Sequence, residues 1–556
     1  MDYKEEVLKL LSKFVKDPIL EIPPNPELGD YAFPCFSIAK VQSKSPNEIA
    51  KELVAKLKPN KYVNKILVMG PYINFFINKD ILAGAAIKNI LEKKDSFGKS
   101  NIGKSKKQMI EFFHANTHKG VHIGHIRNIC LGESISKILD FSGYNAIRAN
   151  YQGDIGPHVA ACLWGLLNMQ ERVPKENKAL FLGEIYSKVN ELMKNDKKIQ
   201  EGVREINKKL YSGDKKIVSL WKKSREWCLK DFNKIYKDFG VKYNKLYFES
   251  EVEKDAIKIS NNLLKNKIAQ VSDDAVIIDL KAYDLGVAVL LTRYGTPVYH
   301  SKDIALAVLK SKQYKLDKSI HVVAKEQEFY FNQLFKMFEI IKSPLANKSL
   351  HLIYGLVMLP EGKMSSREGN VVLYKNLINK IKEETLKETQ KRHKWNAKKL
   401  EEVSNKIAFS ALKYSMLNRE NNKIILFDWK TSLNFEGDTG PYVQYAYARA
   451  SSILKKSKNK LNPDYLLLKD PFELKLVKHM SNFPFIVREA ATHYRPDIIA
   501  NYTHNLAQIF NEFYHNCAVI SEDKPLEAAR LSLVKATMQV IKNSLNLLGI
   551  SVLEEM

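Results

Sequence analysis

Hydrophobic and polar positions change their rhythm three times along the chain. Near the start, apolar residues recur at helical spacing over 5–15 and again over 46–57, which predicts two amphipathic helices. Between and after them, the polar run Pro23-Pro24-Asn25-Pro26 predicts a turn, and short apolar runs at 66–68 and 72–76 predict strands. Residues 1–100 thus form a small α+β unit, bounded by a linker rich in Lys, Ser and Gly at 99–107. From residue 108, short apolar runs at 109–113, 146–151, 320–324 and 352–357 alternate with helical stretches, the mark of a parallel sheet in an α/β domain covering 101–400. A lysine-rich helical stretch at about 165–265 breaks that rhythm and predicts an insertion between the two halves of the sheet. Runs at 275–280 and 287–292 predict an antiparallel pair re-entering the fold. Beyond residue 400 strand signals nearly vanish. Tyr442, Tyr445, Ala446 and Arg449, then Leu506, Ile509, Phe510 and Phe513, recur at three and four, so 401–556 is expected to be an all-helical bundle.

Composition sharpens this picture in two ways. Apolar residues make up 45% of the 556, enough for several cores and too many for a disordered chain. Lysine and arginine number 88 against 62 acidic residues, a net charge of +26 that points first to nucleic acid, although drift toward lysine contributes. The five cysteines (Cys35, Cys130, Cys162, Cys228 and Cys517) are scattered, with no zinc-ligand or redox spacing, so no zinc is expected and a reducing compartment is. With no run of 18 apolar residues and no apolar leader, the expectation is a cytoplasmic protein without a membrane segment.

Two stretches carry chemistry. The first runs from Glu111 through Asn116 and Lys119 to His122-Ile-Gly124-His125, where a strand ends and a helix begins. Such a turn is where parallel sheets bind ligands, and the helix N-terminus favours an anion. Gly120 and Gly124 allow close approach, and His122 and His125, three apart, share a face from which both can donate to phosphate. On spacing alone, the pair equally fits a metal site or simple capping. The second stretch is Gly362-Lys363-Met364-Ser365-Ser366-Arg367-Glu368-Gly369, a Gly-flanked basic loop following the last predicted strand. Lysine, arginine and hydroxyls there can neutralise a triphosphate.

Together these stretches resemble the H-I-G-H and K-M-S-K-S signatures of class I aminoacyl-tRNA synthetases. The resemblance implies that Gly124, His122, His125, Lys363, Met364, Ser365 and Ser366 hold Mg-ATP and that His122, His125, Lys363 and Arg367 act in catalysis. The second signature departs from the family: Ser366 stands where the second lysine belongs, and Arg367 replaces the final serine. Lys119, three residues before His122 in the glycine-flanked turn, is the candidate for the missing charge.

Tyr299 and Asp303, four apart on an expected helix, can converge on one group; taken alone, Asp303 equally fits a solvated helix residue. This stretch, with Gln327 following 24 residues after Asp303, resembles the arginine-binding segment of arginyl-tRNA synthetases. It implies Tyr299 and Asp303 on the guanidinium, Asn116 and Gln327 on the α-amino and carboxylate end, and Glu111 as a further carboxylate. Ala324 stands where the family has a glycine, leaving the ribose contacts unassigned. The likeness extends to both ends: 20–32 and 70–75 are similar to the family's tRNA-elbow domain, and 435–450 to the opening of its anticodon-binding bundle. Asn25, Tyr31, Tyr442, Tyr445 and Arg449 are the candidate tRNA contacts. The expected partners are tRNA(Arg), arginine and ATP, with a monomer as the default. A cysteine-specific enzyme would need zinc ligands that are missing, and a glutamate enzyme a basic group where Asp303 stands. A degenerate relative that only binds tRNA would keep the ends and lose the signatures; Ser366 fits that alternative and the intact histidines oppose it.

Overall fold

A computed structural model describes residues 3–21, 23, 25, 28–358 and 373–556. Its centre is a five-stranded, all-parallel sheet in the order Ser349–Tyr354, Lys318–Ala324, Lys107–Glu111, Asn145–Gln152, Lys245–Phe248. The chain starts in the middle strand and builds outward to one side, then to the other. The strand order therefore reverses between Lys107–Glu111 and Lys318–Ala324, which opens a crevice at their carboxyl ends. Four of these strands coincide with the apolar runs. The fifth, Lys245–Phe248, has only four residues and too little alternation to register as a run. Its presence corrects the place of the helical insertion. Helices Lys178–Asn195, Lys197–Ser212 and Lys215–Phe239 lie between the second and third strands, inside the first half of the sheet, not between its halves. They end where the local chemistry says they should. Asp196 and Asp214 cap two N-termini, while Gly213 and Gly240 take left-handed C-caps.

The antiparallel pair is present as Ala275–Asp279 and Val287–Leu291, joined by Gln270–Ser272 into a separate three-stranded sheet. In Val287–Leu291, Ala288 and Leu290 turn inward while Val287 and Val289 face out. The N-terminal unit sets strands Tyr31–Pro34, Val63–Met69 and Tyr72–Ile77 in one antiparallel sheet beside helices Tyr3–Leu11, Phe36–Gln42 and Pro46–Lys56. Past residue 373 the chain is helical except for Ile425–Leu426, which pairs with Val357–Met358. Asn396, Thr439, Asp470 and Asp523 cap four of these helices. The helix Ile123–Phe141 is the hub. Fourteen of its residues, from Ile123 to Leu139, are buried between the sheet and the bundle. No helix among the described residues is long and apolar enough to cross a membrane. All five cysteines are buried and unpaired.

Candidate functional site

The turn after Lys107–Glu111 is held under backbone tension. Phe113, His114 and His118 all have positive φ (83°, 51° and 63°), a region in which L side chains are strained. Buried polar groups hold them there: Asn128 accepts from the Phe113 amide, and Asn150 from the His114 amide at 3.1 Å. His118 is completely buried, bonded to Thr117 Oγ1 at 2.9 Å and to Ser224 Oγ of the insertion at 2.8 Å. The Gly153 amide donates to Asn116 Oδ1 at 3.0 Å, and a Cβ on Gly153 would lie 2.6 Å from that oxygen, so a side chain there would displace Asn116.

The turn ends on His122, which caps the helix Ile123–Phe141. Its Nδ1 accepts the Gly124 amide at 3.1 Å, and His125 Nδ1 accepts the His122 amide at 3.2 Å. Accepting at Nδ1 leaves each neutral ring its proton on Nε2, so both are donors on that side. The rings lie 3.9 Å apart between centroids. Burial drives His122 down to about 4. Burial, reinforced by His122, holds His125 well below its usual value. Both are therefore neutral near pH 7, and they offer hydrogen bonds rather than charge. Lys119 is half-buried, with its ammonium 5.2 Å from the centre of the Tyr186 ring. Its charge depresses His125 and favours ionised Glu249, which sets it beside the crevice.

Across the crevice, the helix Tyr299–Gln313 brings Tyr299 and Asp303 onto one face. Asp303 accepts a hydrogen bond from the Tyr330 hydroxyl, and among the described residues no cation pairs with it. Burial pushes its carboxyl up to about 7, against the downward pull of that hydrogen bond. Tyr299 is 66% exposed. Glu111 is not a free acceptor. Burial would raise it, but Lys310 beside it and a 3.1 Å hydrogen bond to His321 hold it well below the carboxylate range. Gln327 is exposed in the short turn after Lys318–Ala324.

Several groups here escaped sequence reasoning. Tyr330, Tyr151, Glu249 and Glu253 surround the same space. Burial raises Tyr151, and the carboxylates of Asp303 and Glu249 raise it further, while its buried hydroxyl has no partner among the described residues. Glu249 pairs with Lys302 at 2.7 Å, and burial lifts Glu253 to about 7. They reach the site from three separate elements: Tyr151 from its strand, Tyr330 from the helix Glu328–Ile340, and Glu249 with Glu253 from one face of the helix Glu249–Lys265. Lys363, Met364, Ser365, Ser366 and Arg367 lie outside the described residues.

The bundle holds a second feature, an open cavity of about 1020 Å³ lined by Arg392, Phe435, Tyr442, Tyr445, Arg449 and Asn511 among others. Arg449 donates to Asn511 Oδ1 at 2.6 Å and packs its guanidinium 4.8 Å from the centre of the Tyr445 ring; Asn511 donates to Tyr442 at 2.9 Å. Gln444, by contrast, is buried and donates to the Ser551 carbonyl at 2.6 Å. In the N-terminal unit Asn25 is exposed, while Tyr31 is buried with its hydroxyl 3.1 Å from Asn482 Oδ1.

Three family models match the chain. That for tRNA synthetases class I (R), catalytic domain, matches residues 86–429, the DALR anticodon binding domain 443–556, and the arginyl tRNA synthetase N terminal domain 2–77. The arginine–tRNA ligases of Clostridium perfringens and Halothermothrix orenii are 37% and 36% identical to it, and each match covers all of both chains. Among solved structures, Thermus thermophilus arginyl-tRNA synthetase superposes with a TM-score of 0.86 at 26% identity, covering 99% of each chain.

Proposed function

The chain belongs to the arginyl-tRNA synthetases, joining arginine to tRNA at the expense of ATP, and on that premise we propose how its residues divide the work. Ionised Asp303 takes the guanidinium of arginine, which relieves the cost of burying a carboxylate without a cation. Tyr299 covers the same group from the solvent side. Asn116 and Gln327 hold the α-amino and carboxylate end, and Glu111, kept ionised by Lys310, supports the floor of the pocket.

The arginine carboxylate attacks the α-phosphorus of Mg-ATP and pyrophosphate leaves. Mg²⁺ arrives bound to the phosphates as part of that substrate. Gly124 leaves room for the nucleotide, and His122 and His125 donate from Nε2 to the oxygens on which charge develops. Being neutral, they leave the charge to be balanced by Lys119, and by Lys363 and Arg367 with Met364, Ser365 and Ser366 around the phosphates. In the second step a ribose hydroxyl of the terminal adenosine of tRNA attacks the carbonyl carbon, and AMP leaves.

The tRNA elbow meets the N-terminal unit, where Asn25 is better placed for contact than the buried Tyr31. The anticodon meets the cavity at Tyr442, Tyr445 and Arg449. The units divide near residues 100 and 400, and the enzyme works as a monomer in the cytoplasm. The observation that carries this reading is Asp303, a half-buried carboxylate that no cation pairs with among the described residues, across the crevice from a helix N-terminus capped by neutral histidines. Charging of total tRNA with each amino acid in turn tests it. Arginine alone should be attached, and attachment of any other amino acid at a comparable rate would overturn it.

A further inference from the structure

Arg127 follows His122 by five residues and His125 by two on the same helix, and takes no part in the chemistry above. It is completely buried, and no carboxylate among the described residues pairs with it. Instead it donates to five backbone carbonyls on two separate segments. Nη1 reaches the carbonyls of Gly355, Leu356 (3.2 Å) and Lys423 (2.8 Å), and Nη2 reaches those of Asn421 (2.9 Å) and Glu420 (3.5 Å). Burial lowers this guanidinium to about 10, a cost that no counter-ion offsets. Leucine or methionine in its place would take this donor from the carbonyls of Gly355 and Lys423, one on each segment, whereas backbone amides also reach those of Leu356, Asn421 and Glu420.

The two segments are themselves laced together. The Gly355 amide donates to the Asn421 carbonyl at 2.9 Å, and a Cβ at Gly355 would fall 2.5 Å from the Lys423 carbonyl oxygen. Val357–Met358 then pairs with Ile425–Leu426. Lys363 follows Met358 by five residues. On its other side, the 420–423 turn is tied to a corner of the bundle: Asn421 Nδ2 donates to the Tyr494 carbonyl at 2.8 Å, and Arg495 pairs with Glu420 at 2.9 Å. Tyr494 and Arg495 join the helices Phe483–His493 and Pro496–Asn516, and the second of these carries Asn511 of the bundle cavity.

We infer that Arg127 is a positioning residue that locks the exit of Val357–Met358 to the signature helix and, through the 420–423 turn, to the bundle, so that the approach to Lys363 is held in one place for catalysis. The inference rests on the proposed role of Lys363. It requires the five carbonyls to be held in one arrangement, which lysine, with a single ammonium in place of a planar fork, cannot reproduce.

The test uses the full-length enzyme with Arg127→Lys, Asn421→Ala, the double variant and Lys363→Ala, each normalised by active-site titration. Arg127→Lys should lower kcat for arginylation at least tenfold, with arginine KM and tRNA Kd within twofold of the parent enzyme. Asn421→Ala should lower kcat about threefold or more, and the double variant should be no slower than Arg127→Lys alone, as expected of two parts of one connection. A merely structural role would reduce the titrated active fraction and Tm while leaving kcat per active site unchanged, and would overturn the inference. So would multiplicative effects in the double variant. Should Arg127→Lys not accumulate as folded protein, Asn421→Ala decides: an unchanged kcat overturns the inference, and a lowered kcat at unchanged tRNA Kd supports it. If Lys363→Ala is fully active, the reading of the phosphate loop has failed instead.

Discussion

The crevice of the sheet and the cavity of the bundle present their polar groups in opposite states. Among the described residues of the crevice, half-buried Asp303 pairs with no cation and the Tyr151 hydroxyl has no partner. In the bundle cavity Tyr442, Asn511, Arg449 and Tyr445 already satisfy one another. A group left wanting gains its full interaction when the right ligand arrives, so discrimination concentrates in one or two side chains. Groups that are already satisfied must exchange one partner for another, and the net gain per residue is small. The comparison teaches where to expect steep effects and where shallow ones.

The steepest should come from Asp303. Asp303→Ala leaves the substrate guanidinium buried and unpaired, and should cost roughly 2–5 kcal/mol in kcat/KM for arginine, with Tyr299→Phe costing less. Steady-state charging of the Ala variant within fivefold of the parent would place the pocket elsewhere. Next comes Lys119. Its replacement by Ala should slow kcat by about 10²–10³ with little change in arginine KM, the usual effect of losing one transition-state stabiliser. Adding Ser366→Lys should restore part of the rate, and normal turnover by Lys119→Ala would shift the role to Arg367.

On the other side of the comparison, Arg449→Ala or Tyr445→Ala should weaken tRNA binding by about 1–3 kcal/mol, the range of one stacked base. Arginine KM should not change. Filter binding at two salt concentrations measures this, and a loss as large as that of Asp303→Ala would erase the contrast between the two regions. The mildest prediction concerns pH. With Asp303 at about 7 in the free enzyme, kcat/KM for arginine should fall about tenfold between its alkaline plateau and pH 6, because the protonated form cannot pair with the guanidinium. The sign for stability is the reverse. A raised carboxyl favours the fold below its unfolded value, and that contribution is lost as pH rises through 7, so arginine should raise Tm more at pH 8 than at pH 6. Equal shifts at both would show that Asp303 does not carry the charge.

Much of this was legible along the chain because it depends on local spacing. Four parallel strands announce themselves as apolar runs, the His122–His125 pair as a helix start, and Tyr299 with Asp303 as one helical face. What escaped depends on contacts through space. Lys245–Phe248 is a strand because Asn145–Gln152 offers it an edge, and Tyr330 matters because its helix lays a hydroxyl on Asp303 from 27 residues away. The engagement of Glu111 by Lys310 and His321 is of the same kind. Each partner sits about 200 residues further on, beyond the reach of any periodicity.

The burial of the signature helix has a consequence for how the protein is made. Helices Ala397–Leu417, Phe483–His493, Pro496–Asn516 and Lys524–Leu547 all close over Ile123–Phe141, and Ser134 reaches the Leu547 carbonyl at 2.9 Å. At ribosomal speeds of about 5–20 residues per second, roughly 20–80 s separate the emergence of this helix from that of its last cover. Until then its apolar flank is open to chaperones or to neighbouring nascent chains. An enzyme that supplies translation thus waits, for the cover of its own signature helix, on helices made long after it.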